Sequence, residues 1–520
     1  MNRPTLLLPA LMLTHALAHL GLGWVLGLSG DEAHYALYAT HPALSYFDHP
    51  PLVGWVQWPL VALDAPEGVL RLLPQALWLG TAAFVYALAQ RLHSLLGLNL
   101  PERAAGTWAV LAFSLAPLLH VLAIGLLPDT LLMFFTAALM WQTVGMMRTP
   151  LRGRDWLVLG ALLGLAGLSK YTAIFAALPV AACLLAAHGP ALLRQRGPWL
   201  ALALAVVLVL PVFVWNAEHG WISFAYQLHH GRGSHWQWRA LLGFVLAQAV
   251  LYPLLAWSAV GLQRKTLGSP LARPWAWLLG FFGLPFAVLA YLSGGGSGLP
   301  HWTAPAWVAL APFAGLGLAA LWQQGRRRAV WLLGGLQAFL TASLYGLMLT
   351  AGPTWLASTP SSTPSSTAGS ASGRAPGSSP PGNATEAETL NPFTDFYGWR
   401  EAGARARTLA AQHQVSHLAV QNWTLASRLA WYARPLPVHV LAPGFDQFSL
   451  WSGNLASGSD SLVLDWSQMA YHPPVGEGQF ERCTLLETLP VQRAGRAVAH
   501  FSLSLCQGWG GRAAPRRQGE

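Results

Sequence analysis

Charged residues are scarce in this 520-residue chain: Asp, Glu, Lys and Arg together make up 10% of it, while hydrophobic residues make up 54%. A soluble domain carries about 25% charged residues, so the composition excludes an ordinary soluble enzyme and indicates an integral membrane protein. The net charge of +10 lies mostly in short loops between apolar runs. Membrane topology accounts for it there, so it does not indicate nucleic acid as a partner.

Cysteine is also rare, with three residues in the whole chain. Cys183 lies inside an apolar run, where a thiol packs as a small hydrophobic group. Cys483 and Cys506 lie in the polar C-terminal region, and a disulfide between them depends on that region being extracytoplasmic. The chain has no internal repeat, and its GGGSG at 294–298 follows an apolar run rather than a strand. We therefore expect no nucleotide cofactor.

Long apolar runs make up most of residues 1–352. They predict about eleven transmembrane helices, because a bilayer core needs about twenty apolar residues per helix. The fifth and sixth runs are short, and we count them separately because Gly167, Ser169 and Lys170 interrupt them. A lysine at the bilayer centre costs about 3 kcal/mol, which a break at the membrane surface avoids. The predicted spans lie near residues 6–28, 69–90, 105–125, 130–147, 156–168, 172–187, 198–215, 240–261, 275–292, 303–323 and 329–352.

The arginines alternate between these loops, which sets the predicted orientation. With the N-terminus in the cytoplasm, every inner loop carries arginines, as at 326–328, whereas the outer loops carry few. The segment after the first span and everything after residue 352 are then outside the cytoplasm. The first apolar run resembles a signal sequence but has no convincing small-residue cleavage site, so we predict an uncleaved helix.

The C-terminal third has a different composition. Residues 353–390 are rich in Ser, Thr, Pro and Gly and predict a flexible linker after a membrane domain at 1–352. Residues 391–508 predict a small extracytoplasmic α/β domain, and 509–520 a disordered tail. Within that domain HLAVQNW, PVHVLA, SLVLDW and VAHFSLSLC are typical of strands, and TLASRLAWYAR of a helix.

Polar residues gather on the predicted outer side of the membrane. A transporter would carry ionisable groups along its spans, whereas these span interiors are almost free of charge. The pattern indicates a site at the membrane surface, where a lipid-borne reactant presents its head group. The residues concerned are Asp31, Glu32, Asp48, His49, Asp129, Lys170 and the loops at 216–239 and 299–307.

Each of these residues also has a simpler interpretation. Asp31 and Glu32 would serve only to cap and solvate a loop, and Asp129, which follows a proline, would be the N-cap of the fourth span. Lys170 would extend to phospholipid head groups. The histidines in the outer loops would each be structural.

Five motifs in order, GDEAHY, YFDHPPL, LLPDTLL, GLSKYT and HWTAPAW, resemble the membrane glycosyltransferases of the GT-C fold. The similarity covers residues 1–350 and is greatest to the superfamily of protein O-mannosyltransferases and the undecaprenyl-phosphate aminoarabinose transferase. The stretches DFYGWRE, ASRLAWYAR and DQFSLW resemble the extracytoplasmic domain of bacterial members. The resemblance implies an α-helical polytopic inner-membrane protein of GT-C type with a small C-terminal α/β domain.

The resemblance also implies an inverting transfer of a sugar from a polyprenyl-phosphate donor to an extracytoplasmic acceptor, such as lipid A or another glycan, a lipid or a protein. Asp31 of the acidic pair Asp31–Glu32 would be the general base, since an acceptor hydroxyl is a poor nucleophile until a carboxylate takes its proton. Asp129 would order the site. One base suffices for a single displacement, unlike the two carboxylates of soluble glycosidases.

Binding of the donor would fall to residues that the family motifs place near the carrier phosphate and the sugar. Asp48 matches the family's acidic position near the phosphate, whereas His49 stands where the aminoarabinose transferase has a lysine. Phosphate cations would be Lys170 and Arg232, and a divalent metal would bind Asp48 and His230, with His229 as an alternative. The remaining predicted substrate-binding residues are Tyr35, Tyr171, His301 and Trp302.

Two other classes of function remain open from the sequence. The chain would be a glycolipid transporter or flippase with an appended binding domain, or a lipid-anchored assembly factor in which the domain at 391–508 binds partners and the acidic loop has no function. Mid-membrane charges or inverted repeats would favour the transporter, and the sequence shows neither.

Overall fold

The computed structural model describes residues 3–101, 103–148, 151–230, 236–266, 276–296, 298–352 and 391–511, without the side chains of 3–7, 229–230 and 260–266. The chain divides into two compact units. The first comprises Met1–Val25 and Pro42–Leu344, and the second comprises Leu26–His41 and Tyr345–Glu520. The predicted linker at 353–390 and most of the predicted tail lie outside the described residues. The sequence did not predict that residues 26–41 would group with the C-terminal unit.

Helices make up most of the described chain. They are numbered here in chain order: α1 (Arg3–Val25), α2 (Gly30–Thr40), α3 (Leu52–Ala62), α4 (Glu67–Leu70), α5 (Leu72–Leu95), α6 (Ala104–Ser114), α7 (Pro117–Ile124), α8 (Pro128–Met146), α9 (Gly153–Ser169), α10 (Ile174–His188), α11 (Arg196–Glu218), α12 (Ile222–His230), α13 (Trp238–Leu251), α14 (Pro253–Thr266), α15 (Gly280–Ser293), α16 (Ala304–Gln323), α17 (Arg327–Thr350), α18 (Trp399–Gln412), α19 (Trp423–Tyr432) and α20 (Gln447–Trp451).

The long apolar helices of the first unit make the protein a multi-pass membrane protein. Within the described residues, six helices are long and apolar enough to cross a bilayer, or up to eight if each bent pair counts as one span. The bent pairs are α6 with α7, at 75°, and α13 with α14, at 92°. Each second helix begins with a proline, which cannot continue the preceding helix. Every predicted span contains helix, but the predicted count of eleven is not confirmed.

The predicted break at Gly167–Lys170 is confirmed. Helix α9 ends at Ser169, Lys170 has extended backbone angles, and a short 3₁₀ turn at Tyr171–Ala173 leads into α10. A lysine therefore stands between two helices rather than in the middle of one.

Helix α16 forms the centre of the first unit and is almost entirely buried. It packs against α5, α6, α8 and α14. Gly315 allows the approach to α6, because a Cβ at this position would clash with the backbone oxygen of Ala105. The preceding 3₁₀ turn, Pro300–Thr303, is thereby attached to the most buried helix of this unit.

The second unit combines α2 and α18–α20 with a five-stranded mixed sheet. The strands are β1 (Leu418–Val420), β2 (Val438–Val440), β3 (Ser461–Trp466), β4 (Phe480–Arg493) and β5 (Arg496–Trp509), in the spatial order β2-β1-β3-β5-β4. β1 pairs in parallel with β2 and β3, and β5 pairs antiparallel with β3 and β4. The predicted small α/β domain is present in this unit, and β5 ends at Trp509, one residue beyond the predicted boundary.

Cys483 and Cys506 form a disulfide between β4 and β5, where they are directly opposite in the register. Among the described residues Cys183 is the free cysteine, and it is buried, as its apolar surroundings in the sequence predicted. A disulfide is typical of an oxidising compartment, which agrees with the predicted extracytoplasmic location of this region.

Replacing both bridging cysteines by serine is expected to destabilise the C-terminal unit. The bridge closes a segment with a sequence separation of 23 residues, for which loss of loop-closure entropy in the unfolded chain is worth about 3 kcal/mol. Thermal unfolding of the purified protein with and without reductant measures the effect. Identical unfolding curves for the wild type and the Cys483→Ser/Cys506→Ser variant would contradict it.

Candidate functional site

Asp129 and Lys170 form a buried ion pair in the first unit. Nζ of Lys170 donates to both carboxylate oxygens of Asp129 at 2.7 Å, and the two residues are 3% and 7% exposed. Asp129 lies in the first turn of α8, where the helix dipole stabilises a negative charge. The break after α9 brings Lys170 to that helix start. Removal of one partner from an ion pair this deeply buried destabilises the protein, because the other charge is left buried without compensation.

The structure corrects the two simpler interpretations of these residues. Leu127 is the N-cap residue of α8, and Asp129 lies inside the helix. The prediction that Asp129 is a plain N-cap is therefore wrong. The prediction that Lys170 extends to lipid head groups is also wrong, because its ammonium group is held by Asp129.

His301 and Trp302 join this ion pair. Nε2 of His301 lies 3.9 Å from Oδ2 of Asp129, and Nζ of Lys170 lies 5.1 Å from the centre of the Trp302 ring. Both aromatic residues belong to the 3₁₀ turn Pro300–Thr303, which precedes α16. Four predicted site residues from three distant parts of the sequence therefore lie together, which we call the Lys170 cluster: Asp129, Lys170, His301 and Trp302.

A buried glutamine fixes the turn that carries His301 and Trp302. Oε1 of Gln248 accepts hydrogen bonds from Thr303 at 2.7 Å and from the indole of Trp307 at 2.8 Å. Its Nε2 donates to the carbonyl of Pro300 at 3.0 Å. Gln248 was not predicted as a site residue, because a single glutamine in an apolar helix does not reveal its partners.

Asp48 and His49 lie in the segment between α2 and α3, with side chains 17% and 15% exposed. Nδ1 of His49 is 3.7 Å from Oδ2 of Asp48 and also contacts the Asp48 carbonyl oxygen. Burial lowers the pKa of His49, the Asp48 carboxylate opposes this, and the charge of Lys170 lowers the pKa further. His49 is therefore a neutral imidazole at pH 7 and does not replace the cation that a lysine would supply.

Two side chains of α12 donate hydrogen bonds to the backbone around Asp48. Gln227 of α12 donates to the Asp48 carbonyl at 2.7 Å, and Ser223 donates to the Tyr46 carbonyl at 2.9 Å. Tyr171 follows Lys170 directly and packs its ring against Phe224 of α12 at 5.4 Å. Tyr171 thus lies beside the Lys170 cluster in sequence and against α12 in space.

Arg232 and the side chain of His230 lie outside the described residues, so the predicted phosphate contact of the first and the predicted metal ligation of the second stay predictions. Among the side chains that the structure describes, no group of three or more His, Cys, Asp and Glu could hold a metal ion. Asp48 and His49 alone supply fewer donors than the three protein ligands usual in a catalytic zinc site.

Asp31 and Glu32 lie in the first turn of α2, in the second unit. Glu32 is buried and forms a capping box: its carboxylate accepts from the Ser29 N–H at 3.0 Å, and the Ser29 hydroxyl accepts from the Glu32 N–H at 3.3 Å. This capping role was one of the two predicted interpretations and holds for Glu32. Asp31 is half-buried and takes no part in the box, which leaves its carboxylate as the candidate base.

Side chains from the C-terminal part of the chain form hydrogen bonds with the start of α2. The N–H groups of Leu28 and Gly30 donate to the Tyr432 hydroxyl at 2.7 Å and to Oδ2 of Asp395 at 2.9 Å. Further along the helix, Nδ1 of His34 lies 3.0 Å from the Ser427 hydroxyl. The predicted substrate residue Tyr35 is buried and packs its ring against His34 at 5.5 Å.

Arg428 of α19 is completely buried beneath this helix start and pairs with Asp395. Its guanidinium carbon lies 4.2 Å and 4.8 Å from the ring centres of Trp399 and Trp466. Burial lowers the pKa of Arg428 to about 9, and the charge of Asp31 acts in the opposite direction. Arg428 is therefore a cation at neutral pH, and its guanidinium carbon lies 3.8 Å from the position that a Cβ on Gly30, the residue before Asp31, would take.

Asp395 and Arg428 belong to the stretches DFYGWRE and ASRLAWYAR, which the sequence singled out without assigning them a role. The signal that was available was an arginine within a helix of otherwise apolar character. Sequence separations near 400 residues hid the contact with α2.

Comparison with known proteins agrees with the motifs. Residues 48–215, which contain Asp48, Asp129 and Lys170, match the family model of the dolichyl-phosphate-mannose-protein mannosyltransferases. The curated lipid A galacturonosyltransferase RgtD of Rhizobium johnstonii is 27% identical over 191 residues, which are 36% of this chain. The match spans 38% of that relative's length.

Solved structures match over nearly the whole chain. ArnT from Cupriavidus metallidurans in the apo state has a TM-score of 0.59 at 14% identity, covering 96% of this chain and 97% of that one. The same protein bound to undecaprenyl phosphate has a TM-score of 0.57 at 16% identity, covering 99% of both chains. At these identities the likeness establishes the fold. The resemblance recognised from the five motifs is confirmed: the chain has the fold of these membrane glycosyltransferases, and residues 48–215 match the mannosyltransferase family model.

Proposed function

We propose that the protein is an inverting glycosyltransferase that moves a sugar from a polyprenyl-phosphate carrier to an acceptor hydroxyl or amine outside the cytoplasmic membrane. The carrying observation is the Lys170 cluster, which places an ammonium group, an imidazole and an indole ring together at helix ends. An anionic phosphate needs such a cation, and a pyranose face packs well against an indole ring. Undecaprenyl phosphate, bound in one of the ArnT structures, is the first carrier to test.

The chemistry needs a base on the acceptor and a cation on the leaving group. Asp31 takes the proton of the attacking hydroxyl as the new bond to the anomeric carbon forms, and the bond to the carrier phosphate breaks on the opposite face. The phosphate leaves as an anion and needs no acid. A single displacement of this kind inverts the anomeric centre.

On the donor side, Asp129 uses two of the three N–H donors of the Lys170 ammonium, so the third remains for a phosphate oxygen. Because Asp129 neutralises much of the charge of Lys170, a second cation is needed, and Arg232 is our candidate. Its guanidinium can bind two phosphate oxygens at once. His301 and Trp302 contact the sugar, and Asp129 sets their position.

The acceptor is a component of the cell envelope, and lipid A is the first to test, because the relative RgtD is named a lipid A galacturonosyltransferase. The orientation that we propose has the N-terminus in the cytoplasm and both the site and the C-terminal domain outside. A sugar carried by a lipid that has crossed the membrane can reach such a site, whereas a cytoplasmic nucleotide sugar cannot.

The proposal is tested with the purified protein in liposomes. Undecaprenyl-phosphate-linked sugars and the matching nucleotide sugars are offered separately with lipid A, and the products are identified by mass spectrometry. We expect transfer from the lipid-linked donors alone. Transfer from a nucleotide sugar without the carrier would contradict the proposal, as would translocation of the lipid-linked sugar without cleavage.

A comparison of cells with and without this chain would identify the sugar and the natural acceptor. Mass spectrometry of envelope glycolipids and proteins, with and without this chain, is expected to show one sugar missing from one class of acceptor. Unchanged glycolipids together with an altered protein glycan would replace lipid A as the acceptor and leave the reaction type intact.

We retain Asp48 and His230 as a proposed divalent-metal site, where a bound ion would help to hold the carrier phosphate. EDTA is then expected to lower the rate of transfer, and added Zn²⁺, Mn²⁺ or Mg²⁺ to restore it. The His230→Ala variant should have lost this sensitivity. A metal-free preparation with full activity would remove the metal from the account.

A further inference from the structure

We propose that Asp395 and Arg428 of the C-terminal domain are positioning residues for the carboxylate of Asp31, so that this domain is part of the catalytic apparatus. The inference rests on the proposed function, in which Asp31 is the base. It assigns to the C-terminal domain a task other than binding the acceptor.

The first argument is the way the helix start is bonded. The N–H groups at a helix N-terminus have no partner within the helix, and here the partners come from two sources. Ser29 and Glu32 bond each other in the capping box. Leu28 and Gly30, the residues on either side of Ser29, are bonded by Tyr432 and Asp395. The residue before Asp31 is therefore held directly by a carboxylate from the C-terminal chain.

The second argument is steric. A Cβ on Gly30 would lie 2.9 Å from Cγ2 of Thr424 and 3.8 Å from the guanidinium carbon of Arg428. A Cβ on Gly27 would lie 2.8 Å from the Phe396 carbonyl oxygen. The helix start thus lies directly on α19 and on the turn Pro392–Phe396, with no room for a side chain between them. Such contacts fix the direction of α2 and hence of Asp31.

The third argument is electrostatic. Arg428 is fully buried, yet it carries its charge at the start of a helix that presents an anion. A buried cation is costly unless it is paired, and Asp395 supplies the partner. The charges of Asp395 and Asp31 therefore both act on this guanidinium. Arg428 attracts the carboxylate of Asp31 and so orients it, while Asp395 moderates that attraction.

Among the described residues of the second unit, several charged and titratable groups lie near the start of α2. Glu32 and His34 lie on its own helix, Asp395 lies on the turn Pro392–Phe396, and Arg428 and Tyr432 lie on α19. Asp446, at the start of α20, interacts electrostatically with His34. Among these groups Arg428 is the cation whose pKa, about 9, keeps it charged at the acidic and neutral pH values where the acid limb is measured.

The test is the pH profile of kcat in the full-length protein, at saturating donor and acceptor. Arg428→Met removes the cation, so deprotonation of the base becomes harder and the acid limb is expected to move up by about one pH unit. Asp395→Asn keeps an acceptor for the Gly30 N–H but removes the competing anion. Its acid limb is expected to move down. Arg428→Lys keeps the charge and should keep the acid limb in place.

The matched control is a second ion pair of the same domain, which lies on its surface. Arg405 of α18 and Glu487 of β4 are 2.5 Å apart and about one-third exposed. Arg405→Met and Glu487→Gln are expected to leave both kcat and the pH profile unchanged. Thermal unfolding of every variant separates loss of folding from loss of rate.

Each result of these measurements either supports the inference or overturns it. Shifts of opposite sign for Arg428→Met and Asp395→Asn support the inference. Unshifted profiles, shifts of the same sign or a change confined to the KM of the acceptor overturn it, even if Asp31→Asn is inactive. If Arg428→Met does not fold, the direction of the Asp395→Asn shift decides alone. A fully active Asp31→Asn variant would instead refute the proposed base, and with it the function.

Discussion

Asp31→Asn is expected to lower kcat at least ~1000-fold while the protein folds normally, since general-base catalysis is typically worth about 100- to 10,000-fold. The amide has the shape of the carboxylate but cannot accept the proton of the attacking hydroxyl. Asp31 is half-buried and lies outside the capping box of α2, and Asp395 pairs with the buried Arg428, so we expect the fold to tolerate loss of the Asp31 charge. The rate is measured with the lipid-linked donor, and the KM of the donor should change little.

The same exchange at Asp64 is the control. Asp64 is exposed in the turn after α3 and has a φ of 49°, a conformation that asparagine adopts readily. Asp64→Asn is expected to have wild-type activity. If Asp31→Asn also has full activity, Asp31 is not the base and another carboxylate must take the proton.

Lys170→Met is expected to reduce both stability and activity. The substitution leaves the Asp129 carboxylate buried without its cation, which costs about 3–5 kcal/mol when one partner of such a pair is removed. It also removes the proposed ligand of the donor phosphate, so we expect kcat/KM for the donor to fall by more than ~100-fold, a loss of about 3 kcal/mol of transition-state stabilisation. Thermal unfolding and donor titration measure the two effects separately.

The double variant Asp129→Asn/Lys170→Met separates structure from catalysis. It contains no uncompensated buried charge at this place, so its stability is expected to recover towards the wild type. Its activity should stay low, because the phosphate still lacks the ammonium group. Recovery of activity together with stability would show that Lys170 serves only to neutralise Asp129.

The membrane part of the fold was readable from the sequence because its helices obey a simple length and polarity rule. The break at Lys170 is an example, since a charged residue within an apolar run is unfavourable in the middle of a membrane-spanning helix. The bends at Pro117 and Pro253 were missed. A run such as 105–125 is apolar throughout, and hydropathy does not register a change of direction.

The C-terminal domain was predicted less completely. The predicted strands coincide with β1, β2 and β3, most of whose residues are buried, and with β5, along which buried residues recur, whereas β4 was not identified. Most β4 side chains are exposed or half-buried, so its sequence lacks the apolar alternation that marks a strand.

The candidate site was also predicted only in part from the sequence. Asp31, Asp129 and Lys170 were found because charges are rare beside apolar runs. The contacts Asp129–Lys170–His301 required folding, since they join three separate parts of the chain. Asp395 and Arg428 were missed, because nothing local relates them to a helix that begins at residue 30.

Side-specific labelling of position 31 tests the central claim most directly. The chain has three cysteines, of which two form a disulfide and Cys183 is buried, so Asp31→Cys introduces a distinct reactive thiol. A membrane-impermeant maleimide added to spheroplasts is expected to label it, whereas Arg326→Cys, on the exposed turn between α16 and α17, should react only after permeabilisation. The reverse pattern would place the proposed base in the cytoplasm and contradict the account.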